Sequence, residues 1–130
     1  MARVEPVRIG YISTIDYKKG TATVIYKECE DSVSPELPFL SDEYDMPDID
    51  DQVIVLTPQD TTRGLILGKV YHDGNRPVNG KKGIWRKDFK GGGFLQYDVA
   101  TKHFTVGGSL SIQGSLHVGG NLTVDGYYPR

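Results

Sequence analysis

Few residues of this chain have the types and spacing that catalysis or metal binding requires. Cys29 is the single cysteine, which excludes an internal disulfide and a cysteine-based zinc site. The glycine run at 91–93 precedes a predicted strand instead of a helix, so it lacks the context of a phosphate-binding loop. Neither paired carboxylates nor a Ser/His/Asp order is recognisable. We therefore expect no enzymatic activity, no catalytic residue, and no bound cofactor or metal.

The last quarter of the chain repeats a six-residue pattern marked by Gly108, Gly114, Gly120 and Gly126. Two apolar residues occupy the same even-numbered places in each repeat, and one further pair precedes the first glycine. These residues are Phe104, Val106, Leu110, Ile112, Leu116, Val118, Leu122 and Val124. Small polar residues and His117 fill the odd-numbered places. This alternation predicts strands with one apolar face, and a repeat of strand and glycine corner is typical of a β-helix.

Four such repeats are too few to cover their own apolar face. A solenoid usually needs about three or more full repeats with caps before burial outweighs ordering. We therefore expect two further copies of the chain to cover the face, giving a three-sided prism whose trimer core consists of the eight apolar residues of each chain. Glycine at each corner is expected to supply backbone angles that a branched residue would not adopt.

The first half of the chain is predicted to form a small β unit. The predicted strands cover residues 7–16, 21–26, 52–57 and 63–71, with a turn at 17–20. An acidic, proline-containing loop follows the second strand and holds a short edge strand near Phe39 and Leu40. The nearly continuous apolar run at 52–57 predicts a strand buried on both faces. Four or five strands bent by internal glycines suggest a small closed barrel.

The second half is predicted to begin with a linker at 72–83 and to continue with a hairpin. The hairpin strands cover 94–97 and 102–106. We divide the chain into a barrel over 1–75, a neck rich in glycine and lysine over 76–93, and a hairpin with a needle over 94–130. Trp85 and Phe89 flank the neck, and we expect them to fill the junction between barrel and needle.

Charge is distributed unevenly, although the formal net charge is only −2. Residues 28–51 contain ten of the 17 acidic residues and no lysine or arginine, whereas residues 76–90 contain six basic residues and only Asp88 as an acid. We interpret both segments as solvated loops, and a complementary contact between neighbouring subunits is the alternative. The sequence shows neither a signal peptide nor an apolar membrane span, so we expect cytoplasmic synthesis.

In their order, these features resemble one known family. Three runs resemble the oligonucleotide/oligosaccharide-binding (OB) barrel of phage baseplate assembly protein V, the central spike of contractile tails, related bacteriocins and secretion needles: GYISTIDYKKGTATVIY, SPELPFLSDEYDMPDIDDQVIVLT and RGLILGKVY. A downstream run resembles the part of such proteins where three chains wind into a triple-stranded β-helix: IWRKDFKGGGFLQYDVATKHFTVGGSLSIQGSLHVGGNLTVDG.

The resemblance implies an all-β homotrimer, in which an N-terminal OB-like barrel precedes a C-terminal triple-stranded β-helix needle. Such a protein caps the tail tube, contacts tube and baseplate hub proteins, and punctures the envelope of a target cell, touching its membrane transiently. It is assembled in the bacterial cytoplasm and becomes part of the phage or bacteriocin particle. Many members end in a His-x-His pair that holds an apical iron ion. Here His72, His103 and His117 lack that spacing, so a separate tip protein or packing of Tyr128 would close the point.

Two other functions are compatible with parts of the pattern. An OB barrel could bind single-stranded nucleic acid or carbohydrate, with rings supplied by Tyr11, Tyr17, Tyr26 and Tyr71. The acidic loop and the repeated tail argue against nucleic acid as a partner. A trimeric baseplate adhesin without a piercing role is the other alternative, and it differs from the spike in use but not in fold.

Overall fold

The computed structural model describes residues 6–58 and 64–126. The protein is all-β with antiparallel sheets, as the sequence predicts, and the only helical element in the described ranges is a 3-10 turn at Lys27–Cys29. The chain divides into two units, Met1–Arg76 and Pro77–Arg130. We call them the N-terminal unit and the C-terminal unit.

Six strands form one sheet in the N-terminal unit. They are β1 (Val7–Asp16), β2 (Thr21–Tyr26), β3 (Ser32–Val33), β4 (Leu37–Pro38), β5 (Gln52–Leu56) and β6 (Leu65–Lys69). The spatial order is β3-β2-β1-β5-β6, and β4 pairs with β2 beside this path. The first two predicted strands are confirmed residue for residue. The fourth is shorter than its predicted range of 63–71, and Arg63, its predicted first residue, lies outside the described residues.

Two local features fix the register of this sheet. The carboxylate of Asp16 accepts hydrogen bonds from the backbone N–H groups of Lys18 and Lys19, both at 3.1 Å, and Gly20 completes the turn at φ +70°. A register shift opposite Ile54 and Val55 leaves an extra residue in β6 beside Gly68, which has φ +147°. The predicted turn at 17–20 is therefore present, and β6 contains a β-bulge.

The core of the N-terminal unit is formed by side chains from five strands. The buried cluster consists of Ile12, Ala22, Val24, Tyr26, Leu37, Val53, Val55 and Ile66. Gly10 belongs to the same inner face, and a Cβ atom built on it would overlap Cγ1 of Val24 and come within 3.2 Å of the Ile25 carbonyl oxygen. Glycine at this position thus allows β1 and β2 to approach closely.

The prediction that β5 is buried on both faces is wrong. Val53 and Val55 are fully buried, but Ile54 and Leu56 on the opposite face are only half-buried. Val7 and Ile9 pair with Leu56 and Ile54 and are themselves exposed. An apolar run predicts a strand that could be covered twice, whereas the described part of the N-terminal unit contains a single sheet and no second layer.

The predicted closed barrel is not among the described strand pairings. Among the described residues, one parallel bridge links the segment after β4 to β6. It joins Phe39, which directly follows β4, and Ile66 in β6. The predicted edge strand near Phe39 and Leu40 corresponds to this bridge and to β4, which lies one residue earlier in the chain.

A second, three-stranded antiparallel sheet belongs to the C-terminal unit. Its strands are β7 (Ile84–Asp88), β8 (Phe94–Asp98) and β9 (His103–Gly107), with β8 in the centre. The predicted hairpin is confirmed as β8 and β9. Strand β7 lies in the segment predicted to be a neck, and the glycine run at 91–93 lies in the turn between β7 and β8, with Gly91 at φ +88° and Gly92 at φ +97°.

We expect the substitution Gly10→Ala to destabilise the N-terminal unit by about 1–3 kcal/mol, because the added methyl group must displace a stiff β-branched side chain in a packed core. The free energy of unfolding from urea titration measures this effect. Ile9→Val shortens an exposed side chain on the other face of the same strand and should shift stability by less than about 0.5 kcal/mol. Equal stability of Gly10→Ala and the unchanged protein would contradict the close packing of Val24 on β1.

Candidate functional site

The repeated segment after β9 is extended and turns at regular intervals. Bends occur at residue 108, at 113–114, at 119–120 and at 126, so they recur about every six residues at the predicted corners. Residues between the bends form no strand within the chain, and no backbone hydrogen bond is described for residues 109–126. Every residue from Gly108 to Gly126 is exposed. The segment therefore has neither a side-chain cover nor a backbone partner in the described chain.

All eight residues predicted for a trimer core are exposed to solvent in the single chain. Phe104 and Val106 lie on β9, and the other six lie in the extended segment; their exposed fractions range from 41% at Val118 to 70% at Leu110. We call the eight residues the apolar stripe. A stripe of large aliphatic side chains with small polar residues between them is what an interaction surface requires, because its burial removes apolar area from water.

The backbone explanation for the corner glycines holds at one position only. Gly108 has φ +140°, a conformation that other residues rarely adopt. Gly114, Gly120 and Gly126 do not have positive φ angles in the left-handed region, so the expectation of glycine-specific angles at those three corners is wrong. A Cβ atom on any of these three would meet nothing within 4 Å in the single chain.

The three-stranded sheet has an apolar face that the sequence analysis did not identify. Strand register places Trp85 beside Tyr97 and Tyr97 beside Phe104, and the next row on this face contains Lys87, Leu95 and Val106. The rings of Tyr97 and Phe104 have centroids 4.6 Å apart. We call this surface the front face. Alternation in β8 and β9 is the sequence signal that could have revealed this face. It places Leu95, Tyr97, Phe104 and Val106 on one side and Gln96, Asp98 and Thr105 on the other.

A separate cavity of about 570 Å³ lies in the N-terminal unit. Its walls include Tyr17, Phe39, Tyr44, Met46 and Leu67. Charged residues of both signs line it as well, namely Lys18, Lys19, Lys69, Asp42, Glu43 and Asp45. The mixture of charges gives the cavity no strong preference for an anionic ligand.

Two of the four tyrosines considered for base stacking are already covered. Tyr26 is buried, and the guanidinium carbon of Arg8 lies 3.5 Å from its ring centroid. Burial raises the pKa of Tyr26, and the positive charge of Arg8 opposes this shift. The ammonium group of Lys27 lies 4.0 Å from the ring centroid of Tyr11. Tyr17 and Tyr71 remain exposed, so the rings do not form a continuous stacking platform.

The residues that could bind a metal or act as nucleophiles are dispersed. Cys29 is exposed and accepts a hydrogen bond from Arg8 at 3.0 Å. His103 and His117 are exposed, and Nδ1 of His72 accepts a hydrogen bond from the backbone of Gly74 at 3.1 Å. In the described ranges, no three side chains of the types that bind metals are grouped closely enough to hold an ion.

The sequence matches no protein-family model, and no curated protein matches it either. Across residues 6–58 and 64–126, no helix has the length and apolar character needed to cross a membrane. The chemistry of the molecule is therefore inferred from its own residues, and the apolar stripe is its most prominent candidate for a functional surface.

We expect metal analysis of the purified protein to find no stoichiometric iron, because the three histidines lie apart and no His-x-His pair is present. Inductively coupled plasma mass spectrometry on protein prepared without chelator or affinity resin provides the measurement. Roughly one iron per three chains, retained after dialysis, would show that these histidines do form an ion site in the assembled protein.

Proposed function

We propose that this protein is the trimeric central spike of a contractile-tail baseplate, capping the tail tube and puncturing the target envelope mechanically. The observation that carries the proposal is the apolar stripe, which continues over eight positions and has no cover within the described chain. An apolar surface of this length in a soluble particle must be buried by association.

Three copies of the segment can both cover its apolar side and pair its backbone groups, whereas two copies cannot do both. Residues 109–126 lack both a cover for their apolar side and partners for their backbone groups. A pair of segments would cover the apolar side but would leave an unpaired edge on each strand. In a closed three-chain winding, each strand pairs with a neighbouring chain, and the three apolar sides meet at one axis. This arrangement satisfies both requirements together.

The order of features along the chain supports the particular role of a spike. A β unit with its own core comes first, a three-stranded sheet follows, and the repeated segment comes last. The order resembles that of baseplate assembly protein V, and the bridge between Phe39 and Ile66, which brings the segment after β4 to β6, supports an OB-like form of the first unit. Tube and hub proteins would contact that unit, and a separate tip protein could complete the point. Tyr128, the other candidate for the tip, lies outside the described residues.

The surface of the proposed needle suits passage through an envelope. Between Gly108 and Gly126, the side chains between the apolar positions are small or polar, and Asp125 is the only residue with a formal charge. A shaft with few charges crosses a lipid layer at a lower desolvation cost than a charged one. Mechanical puncture also needs no catalytic residue, because contraction of the sheath supplies the work.

The two alternatives have less support. Nucleic-acid binding by the N-terminal unit is disfavoured because Arg8 and Lys27 already lie over Tyr26 and Tyr11. A trimeric adhesin would use the same assembly, so it differs in the partner that the distal end meets.

Labelling of native particles with an antibody against this chain separates a central spike from an adhesin. We expect label at the distal end of the tail tube, whereas label on peripheral fibres would contradict a central spike.

We expect the full chain to be a trimer at micromolar concentration, because burial of the apolar stripe stabilises the assembled form and little stabilises the extended segment alone. Size-exclusion chromatography with light scattering gives the mass directly. A stable monomer of 14.4 kDa under these conditions would refute the assembly on which the proposal depends.

The substitution Leu116→Asp should prevent trimer formation, because three carboxylates would be buried near one axis. Ser115→Asp is the matched control, since it adds the same charge to the neighbouring odd-numbered position and should leave the trimer intact. Light scattering of both variants decides the assignment of faces. A heat-resistant trimer from Leu116→Asp would contradict the inward position of Leu116. Loss of the trimer only in Ser115→Asp would show that the odd-numbered residues face the axis.

A further inference from the structure

The three-stranded sheet of the C-terminal unit differs strongly between its two faces. On the face opposite the front face, Arg86 donates a hydrogen bond to Oε1 of Gln96 at 2.8 Å and pairs with Asp88 at 2.9 Å. Nδ2 of Asn79 donates to the same oxygen of Gln96 at 2.8 Å. We call this surface the back face. Its polar groups form a connected network, as expected of a surface that meets water.

Two large apolar side chains, Ile84 and Phe94, lie on the back face, and both are half-buried within the chain. The ring of Phe94 has a cover. The guanidinium carbon of Arg86 lies 3.9 Å from the ring centroid of Phe94. The ring of Phe94 also lies against Gly107, with which Phe94 pairs across β8 and β9. A Cβ atom on Gly107 would overlap the ring. Glycine at 107 thus lets the ring lie flat on the neighbouring strand. The back face therefore needs no partner.

The front face has no comparable cover. No residue in 77–126 is buried in the single chain, and Trp85, the largest side chain of the sheet, is 54% exposed. A sheet with one apolar face must bury that face against another layer. Within the described C-terminal unit no such layer exists.

We propose that the front face is part of the trimer interface, so that Trp85, Leu95 and Tyr97 of the three chains pack together at the base of the needle. The occupant is a second and a third copy of this chain, because Phe104 and Val106 belong both to the front face and to the apolar stripe. Any cover for the stripe is therefore continuous with the front face. This inference rests on the proposed trimer and extends its core by one sheet.

From the sequence alone, Trp85 is predicted to fill the junction between barrel and needle. The proposed interface gives this side chain a different environment. Its register with Tyr97 and Phe104 instead makes it the outermost member of an aromatic row on β7, β8 and β9. Such a row contributes large apolar area to an interface at small entropic cost.

Trp85 is the only tryptophan of the chain, so fluorescence of the full-length protein tests the inference directly. In the trimer we expect emission at shorter wavelength and several-fold weaker quenching by acrylamide than in the Leu116→Asp variant. The double variant Trp85→Phe, Thr105→Trp moves the single tryptophan to the back face, because Thr105 pairs with Gln96. Its quenching should be strong in the trimer and should change little on dissociation.

The possible outcomes separate this inference from the proposed function. A trimer in which Trp85 is quenched as readily as the tryptophan introduced at position 105 would overturn the inference and leave the trimer intact. A monomeric unchanged protein would refute the proposed function itself, and the inference would fail with it. If Leu116→Asp does not fold, the comparison of positions 85 and 105 within trimers still decides the result.

Discussion

One constraint dominates this structure: the described part of the chain leaves the apolar stripe uncovered. Residues 108–126 are extended and exposed, and within the described chain nothing lies against them. Exposed apolar area costs about 25 cal/mol per Å² relative to burial, and unpaired strand backbone adds an edge open to other chains. In the proposed trimer, folding of this segment and association of the chains would be a single event, and its stability would depend on protomer concentration as well as on sequence.

The two units meet this constraint in different ways. The N-terminal unit has its own core, in which Ile12, Val24 and Val53 are fully buried. The C-terminal unit has no buried residue in its described part. One unit therefore has its core within the chain, and the proposed trimer would give the other unit its core between chains. In the spike that we propose, this division would be useful, because interwound strands separate only when many contacts break together, which favours kinetic stability.

The sequence predicted the elements whose signal is local and missed features that depend on strand register or on how elements pack. Alternation and turn residues were sufficient for β1, β2 and the β8–β9 hairpin. Strand β7 was missed because Arg86, Lys87 and Asp88 made the segment resemble a charged neck. The error at β5 has a different origin. Apolar residues at 52–57 show that both faces could be buried, but sequence contains no record of how many layers are present. The positions of the stripe followed from parity alone, whereas the front face required strand register.

The corner glycines show why a single chain does not explain its own sequence here. At Gly107 the reason lies within the chain, because the ring of Phe94 occupies the space of a side chain. At Gly114 and Gly120 neither a left-handed backbone nor a neighbouring atom within 4 Å requires glycine. In the proposed three-chain prism, glycine at each bend would allow the backbone of a neighbouring chain to pass closely, as Gly10 allows between β1 and β2. The proposed assembly would then account both for the six-residue spacing and for the uncovered stripe.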